Sequence, residues 1–315
     1  MEVKDQSGAA AANSSLKIGP PVLTVQDLEK SLSFYQGKLG LRINRKRRAN
    51  NEDLENVELG FGGNFAEALG PLVVIKHDPN AREPPRNFAG LFHFAILVPD
   101  RKSLAHAFLA LERNRVQFDG FANHLVSESL YLHDPESNGI EIYRDRPFRE
   151  WSHDTEGHVV MDTLPLDLDG VLSELNDQDR NKSDAFPSGA KIGHMHLRVT
   201  DLQKSAKYYQ EKLGLHVSAD WSKMGAIFLA AGSYHHHIGL NVWHSLDGKK
   251  HEEGEAGLDE FEIEFPGVDQ IMKSHSIETR EKEGFEGERT ITDPDGIRLR
   301  LSALEKEKEE KTVAS

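Results

Sequence analysis

The sequence DLEKSLSFYQGKLGL at residues 27–41 matches DLQKSAKYYQEKLGL at residues 201–215 at most positions. Each copy begins with an aspartate suited to cap a helix, carries apolar residues at helical spacing and places a glycine near its end. Each copy is therefore predicted to form one amphipathic helix. A short strand precedes each copy, VLTV in the first half and HLRV in the second. A repeat of this kind predicts a fold built from duplicated units.

Two further segments show the same pattern of strand, polar cap and helix. They are LFHFAILVPDRKSLAHAFLAL from Leu91 and LDEFEIEFPGVDQIMKSH from Leu258. A three-strand pattern follows each of the four helices, and its last strands are GPLVVIKHD, GIEIYRD, HIGLNVWHS and GIRLRLSA. The chain is therefore predicted to contain four βαβββ units, at residues 18–78, 90–145, 192–245 and 257–303.

These units form two pairs in sequence, 18–145 and 192–303, separated by a linker at 146–191 in which DLDGVLSEL predicts a short helix. Residues 1–16 are predicted to be a disordered N-terminus, and residues 304–315 a charged tail. One βαβββ unit leaves a sheet face open, so two units must pair to enclose a cavity. The predicted fold class is α+β, with four modules forming two eight-stranded curved sheets.

Composition limits the classes of function. The formal charge of −14 argues against nucleic-acid or anionic-membrane partners, because phosphate binding needs clustered lysine and arginine. The absence of cysteine excludes disulfides, thiolate metal sites and cysteine nucleophiles. No apolar run approaches the roughly 20 residues that span a bilayer, and the first residues lack a secretory signal. We therefore expect a cytoplasmic protein.

A second informative stretch is NHLVSESLYLHDPESNGIEIYRD at residues 123–145. SESLYL and GIEIYR alternate polar and apolar residues on either side of the turn-forming DPESNG, which predicts a β-hairpin. In the second strand, Glu141 and Tyr143 share one face and the two isoleucines share the other. A carboxylate on the concave face of a sheet is either an ion-pair partner or a metal ligand. The hairpin alone leaves both interpretations open.

Several motifs together resemble one known superfamily. They are LFHFAILVP, HLVSESLYLHDPESNGIEIYRDRP, IGHMHLRV, YHHHIGLN and DPDGIRLRL. Their order and spacing resemble the vicinal oxygen chelate superfamily, which contains glyoxalases, fosfomycin-resistance proteins and extradiol ring-cleaving dioxygenases. Within it, the chain is most similar to the bacillary-type catechol 2,3-dioxygenases. The resemblance extends over residues 18–302.

The resemblance implies metal ligands on the first and last strands of paired units. The first-strand position lies seven residues before the capping aspartate, which selects His93 and His194 and, in the first unit, Pro20. Aligning LDEF with LFHF places Glu260 there in the fourth unit. The last-strand positions in the four units hold Val74, Glu141, Asn241 and Arg298.

Chemistry then predicts which units pair. Neighbouring units would not assemble a good metal site, whereas pairing the second unit with the third collects His93, His194 and Glu141. Two histidines and one carboxylate form the facial triad of non-heme Fe(II) oxygenases. Pairing the first unit with the fourth would leave Glu260 and Arg298 to form a buried ion pair. His196, two residues after His194 and on the same strand face, is the main alternative ligand.

The resemblance also implies an acid/base histidine and two residues that contact the substrate. His237, just before the last strand of the third unit, matches the acid/base histidine. His236 is the second choice because regular alternation points it away, and the three histidines also fit a solvated loop tip. Tyr131, ten residues before Glu141, matches a tyrosine that hydrogen-bonds the substrate, and His124 matches another histidine near it.

The implied function is an extradiol dioxygenase that cleaves a catechol with O2, with Fe(II) as cofactor and Mn(II) as the alternative. Two other classes remain open. One is a glyoxalase-like isomerase or thiol transferase, and the other is a non-catalytic protein that binds aromatic compounds. The expected partners are a small aromatic substrate and O2, with no nucleic acid or membrane, and the protein is compatible with a homo-oligomer.

Overall fold

The computed structural model describes residues 16–48, 55–61, 70–180, 186–265 and 289–303. Almost all of the predicted disordered N-terminus, the predicted charged tail and the predicted helix of the fourth unit lie outside these residues. Within them, no helix is long and apolar enough to cross a membrane.

Strands dominate the described residues. In chain order they are β1 Lys17–Val25, β2 Arg42–Arg48, β3 Glu55–Gly60, β4 Pro71–His77, β5 Gly90–Leu97, β6 Phe118–Asn123, β7 Ser127–His133, β8 Gly139–Asp145, β9 Leu164–Pro165, β10 Lys191–Arg198, β11 His216–Trp221, β12 Ala226–Ala230, β13 Ile238–Asn241, β14 Gly257–Phe265, β15 Arg289–Thr292 and β16 Arg298–Ala303. The α-helices are α1 Leu28–Leu32, α2 Arg101–Arg113, α3 Leu168–Leu172, α4 Asp177–Arg180 and α5 Leu202–Leu213.

The predicted helix caps are present. The side chains of Asp27, Asp100 and Asp201 each accept a hydrogen bond from the backbone N–H three residues later, at 2.9, 2.7 and 3.0 Å. Gly214 closes α5 with a left-handed backbone, as its position in the repeat predicts. The first copy of the repeat differs, because α1 continues as a π-helix over Ser33–Lys38.

The strands form two sheets that match the predicted pairing of units. Antiparallel β1 and β14 join the first unit to the fourth, in a seven-stranded sheet of order β15-β16-β14-β1-β4-β3-β2. Antiparallel β5 and β10 join the second unit to the third, in a nine-stranded sheet of order β11-β12-β13-β10-β5-β8-β7-β6-β9. The ninth strand, β9, comes from the linker and pairs with the edge strand β6. The prediction of 2–3 and 1–4 pairing is therefore confirmed.

Two equivalent tyrosine–aspartate hydrogen bonds link the two sheets. Tyr35 follows α1, and its hydroxyl donates to Asp134 in the hairpin turn of the second unit at 2.9 Å. The Tyr209 hydroxyl on α5 donates to Asp293 in the corresponding turn of the fourth unit, also at 2.9 Å. One apolar core runs between the helices and both sheets. The first and second units thus pack against each other across the two sheets, as do the third and fourth, while each sheet joins one unit from either half of the chain.

The predicted ion pair between Glu260 and Arg298 in the seven-stranded sheet is wrong. Glu260 and Arg298 are register partners on parallel strands, but they do not form the predicted ion pair. The Arg298 guanidinium instead binds Asp259, which also lies 3.0 Å from the Lys76 ammonium, and Glu260 lies 3.6 Å from Arg300. Asp259 is buried whereas Glu260 is only partly buried, and a buried charge needs the closer partner.

Gly139→Ala is expected to destabilise the protein by about 1–3 kcal/mol through overpacking. A Cβ at Gly139 would lie 2.1 Å from the backbone oxygen of Phe92, which cannot rotate away. Gly120→Ala on β6 is the matched control, because nothing lies within 4 Å of its Cβ position. Urea denaturation measures both. Equal losses of stability in the two variants would contradict this steric argument.

Candidate metal centre

Three side chains from three different strands meet on the concave face of the nine-stranded sheet. One oxygen of Glu141 (β8) lies 3.0 Å from Nε2 of His93 (β5) and 3.0 Å from Nε2 of His194 (β10). All three residues are buried, and their ligand atoms lie within 4.8 Å of one another. The three residues that the sequence selects as metal ligands are therefore brought together.

Strand register explains how these residues come together. Ala95 on β5 is in register with Glu141 on one side and with His194 on the other. On β10, Met195 and Leu197 point into the core, so alternation turns His194, His196 and Arg198 to the concave face. The small side chain of Ala95 leaves space between the larger neighbours. Pairing of the second and third units thus positions the site.

The protonation states suit metal binding. Burial would raise the pKa of Glu141, but the hydrogen bond from His194 and electrostatic attraction to His194 and His93 outweigh it and hold that pKa well below its usual range. Burial lowers the pKa of His194 to about 4. At neutral pH the site therefore presents a carboxylate and a neutral imidazole, which are the forms that bind metal ions.

A buried nitrogen without a hydrogen-bond partner indicates that a metal fits the site. Nε2 of His93 is buried and makes no properly aligned hydrogen bond, although it lies 3.0 Å from Glu141. Buried polar atoms without a partner are rare and call for an explanation. A cation between the two histidine nitrogens and the carboxylate supplies one, so the donor set fits a divalent metal that accepts nitrogen and oxygen ligands.

His196, the alternative ligand, lies beside the site. Its ring contacts the His93 ring edge-on, with centroids 4.9 Å apart. It does not belong to the group of converging ligand atoms. His196 also contacts Phe92 and Trp243, so it forms part of an aromatic surface next to the centre.

Tyr131 and His124 form a hydrogen-bonded chain at the site. Tyr131 on β7 is directly opposite Glu141 on β8, and its ring centroid lies 5.6 Å from that of His93. His124 Nδ1 donates to the carbonyl of Asp162 at 2.8 Å, so its Nε2 accepts from the Tyr131 hydroxyl at 2.7 Å. Burial, followed by the charge of Glu141, raises the pKa of Tyr131 well above its usual value. Tyr131 is therefore a neutral hydroxyl.

The histidine cluster differs from its predicted orientation. The ring of His236 packs on the ring of His194, with centroids 4.2 Å apart. The ring of His237 lies against Tyr234, and its Nδ1 accepts a hydrogen bond from the Ala231 N–H. Alternation failed here because β13 begins only at Ile238, so the histidines precede the regular strand. The structure brings His236, not His237, to the ligand cluster.

A second hydrogen-bonded chain orients His236. The carboxylate of Asp145 accepts from Nε2 of His235 at 3.0 Å. Nδ1 of His235 lies 2.8 Å from Nδ1 of His236. In the tautomer in which His235 carries its one proton on Nε2, its Nδ1 accepts the Nδ1–H of His236, and Nε2 of His236 is unprotonated. His235, Asp145 and the carbonyl of Asp162 were not among the sequence-predicted residues, and only the run of three histidines signalled the first of them.

Acidification is expected to destabilise the metal-free protein between about pH 6.5 and pH 4. Burial lowers the pKa of His237 from 6.5 to about 3 and that of His194 to about 4. In this window these two histidines bind more protons in the unfolded chain, so the stability that they contribute is present above pH 6.5 and is lost as pH falls. Each such histidine contributes a slope of up to about 1.4 kcal/mol per pH unit.

Urea denaturation with a chelator present, repeated across this pH range, measures the slope. His237→Gln should reduce it by up to about one proton, because glutamine does not titrate. His153→Gln, at an exposed position, is the control and should leave the slope unchanged. An unchanged slope in His237→Gln would contradict the expectation.

Comparison with known proteins agrees with this fold. Residues 17–142 and 191–301 match the model of the Glyoxalase/Bleomycin resistance protein/Dioxygenase superfamily, and the chain belongs to that superfamily. The chain is 37% identical over 255 residues to a catechol-2,3-dioxygenase of Bacillus subtilis (strain 168), covering 81% of this chain and 84% of the relative.

Solved structures show the same fold at lower identity. A putative dioxygenase from Bacillus subtilis superposes with a TM-score of 0.58 at 14% identity, covering 91% of this chain and 84% of that chain. Glyoxalase I from Zea mays superposes with a TM-score of 0.54 at 19% identity, covering 91% and 92%. These structures share the fold of this chain and do not distinguish a dioxygenase from a glyoxalase.

Proposed function

We propose that this protein is a metal-dependent extradiol dioxygenase that opens the ring of a catechol with O2. The observation that carries the proposal is the convergence of His93, His194 and Glu141 on one point. This set has the composition of the facial triad of non-heme Fe(II) oxygenases, so Fe(II) is the proposed metal and Mn(II) the alternative. The name of the Bacillus subtilis relative supports the same reaction.

A metal held by only three protein ligands would retain coordination positions for both reactants. When bound, the metal supplies Lewis acidity that lowers the pKa of the catechol hydroxyls, and it brings catechol and O2 together. The protein's part is to hold that metal with one negative charge and two neutral rings, inside a buried site that excludes bulk water.

Two residues handle protons in this proposal. Nε2 of His236, left unprotonated by the Asp145–His235 chain, takes a proton from a catechol hydroxyl and later returns it to the opening product. The hydroxyl of Tyr131 donates to His124, and its oxygen keeps a lone pair that accepts a hydrogen bond from the substrate. The predicted acid/base role thus passes from His237 to His236.

Tyr131→Phe is expected to keep the metal and to lower kcat/KM for catechol about 10- to 100-fold, since one hydrogen bond to the reacting oxygens is lost. Tyr208→Phe is the matched control, because its hydroxyl bonds the carbonyl of Thr292 on the other sheet. Metal analysis and oxygen-uptake kinetics measure both variants. A Tyr131→Phe enzyme with unchanged kinetics would remove this residue from the mechanism.

The proposal is tested by anaerobic reconstitution with Fe(II) or Mn(II), followed by a screen of substituted catechols for O2 uptake and yellow ring-opened products. The adduct of methylglyoxal and glutathione is the control substrate for glyoxalase activity. Turnover of the adduct without catechol cleavage would refute the proposal. Failure to retain stoichiometric metal would instead favour a non-catalytic binding protein.

A further inference from the structure

Arg198 is a cation without an acidic partner on the same sheet face as the metal centre. It lies at the end of β10, and alternation places it on the concave face with His194 and His196. Its guanidinium sits 4.5 Å from the centroid of the Phe88 ring. Among the residues that the structure describes, it makes no ion pair, and its Nε is buried without a hydrogen bond. Burial alone lowers its pKa, with no carboxylate opposing it.

Two more unsatisfied polar atoms lie beside Arg198. Asn241 on β13 is in register with Arg198 and is fully buried, and its side-chain Nδ2 has no hydrogen-bond partner. The backbone N–H of Trp243 donates to the side-chain oxygen of Asn241 at 3.4 Å, which assigns the other amide atom as nitrogen. Nε2 of His196 is also buried without a partner. Arg198 and Asn241 therefore present N–H donors that the protein itself does not satisfy.

An aromatic surface connects this pair to the metal centre. The Phe92 ring contacts the rings of His93, His196 and Trp243 at centroid distances of 5.2, 5.1 and 5.2 Å. His93 is in register with His196, and Arg198 lies two residues further along β10, about 7 Å at the rise of a strand. The order along the sheet is thus metal ligands, aromatic side chains and then an unpaired cation.

We propose that Arg198 and Asn241 bind a carboxylate on the side chain of the aromatic substrate, so that the preferred substrate is a catechol with a short acidic substituent. This inference rests on the proposed function and names its substrate class. The ring would lie over Phe92 and His196, with its hydroxyls at the metal ligands. Guanidinium and amide N–H groups match the planar acceptor geometry of a carboxylate.

A purely structural role does not account for these groups. Arg198 is partly buried, and a guanidinium packed against apolar side chains is normally paired with a carboxylate, because desolvating an uncompensated charge is costly. The contact with Phe88 offsets only part of that cost. With 52 acidic residues against 38 basic ones, carboxylates are abundant in this chain, yet no described one reaches Arg198.

The kinetic test compares 3,4-dihydroxyphenylacetate with 4-ethylcatechol, which share one carbon skeleton and differ in the carboxylate oxygens and their charge. The wild-type enzyme should prefer the acid. Arg198→Met should lower kcat/KM for the acid about 10- to 100-fold, as expected for a lost charge-assisted hydrogen bond, and change the neutral substrate less than about threefold. Equal losses for both substrates, or no preference in the wild type, would overturn the inference.

A binding test separates this inference from the proposed reaction. Calorimetry on the chelated protein measures 4-hydroxyphenylacetate and 4-ethylphenol, which cannot be ring-cleaved. Tighter binding of the acid, lost in Arg198→Met and kept in the exposed Arg45→Met, supports the inference even if no catechol is turned over. Equal affinity for the two phenols overturns it. Asn241→Ser provides a second variant should Arg198→Met fail to fold, and it should also weaken acid binding selectively.

Discussion

Glu141→Ala is expected to purify without bound metal and to lose catechol cleavage by about a thousandfold or more, since metal chemistry accounts for a large part of such a rate enhancement. One oxygen of Glu141 lies 3.0 Å from the Nε2 atoms of both histidines, so a single change removes the only negative charge of the ligand set. Two neutral imidazoles that remain do not compensate the charge of a divalent cation in a buried site. Metal content after anaerobic reconstitution and oxygen-uptake kinetics measure the two losses together.

Glu262→Ala is the matched control, because Glu262 is a partly buried carboxylate on the other sheet that pairs with Arg300. It should keep both metal and activity. Glu141→Gln, which preserves the side-chain volume, guards against a cavity effect and should lose metal as fully as the alanine variant. Stoichiometric metal in folded Glu141→Gln would show that this carboxylate is not a ligand.

The unit pairing could be predicted because it depends on chemistry that the sequence displays. Only the pairing of the second unit with the third collects two histidines and a carboxylate, so a metal site of this composition requires that pairing. The helix caps were equally accessible, since Asp27, Asp100 and Asp201 act through local hydrogen bonds. Such features depend on short-range spacing or on the residue types at a few aligned positions.

Other features depend on side-chain choices between competing partners, which spacing does not encode. Arg298 binds Asp259 and not its register partner Glu260, because Asp259 is the more buried carboxylate. The Asp162 carbonyl reaches His124 only because the linker strand β9 pairs with β6. No local pattern in the linker signals that contact, since any residue would supply the same carbonyl.

The histidine cluster shows where alternation stops being a guide. A regular strand through residues 236–241 would turn His237 toward the concave face and His236 away from it. The strand begins at Ile238, and the preceding residues follow their hydrogen bonds instead. His237 accepts from the Ala231 N–H, and His236 donates to His235, which donates to Asp145. Strand alternation therefore predicts that substitution of His237 stops turnover, whereas the observed contacts predict this for His236.

His236→Phe is expected to retain the metal and to lower kcat about 10²- to 10⁴-fold, the usual contribution of a positioned acid/base group. His237→Phe, a matched change at the neighbouring position, should cost less than about tenfold in kcat, because that ring contacts Tyr234 and none of the described ring contacts joins it to His93 or His194. Asp145→Asn should lower kcat in the same direction as His236→Phe but by less, since it weakens the chain that sets the His236 tautomer. If His237→Phe is inactive and His236→Phe turns over normally, the acid/base residue is His237, as strand alternation predicts, and the assignment to His236 is wrong.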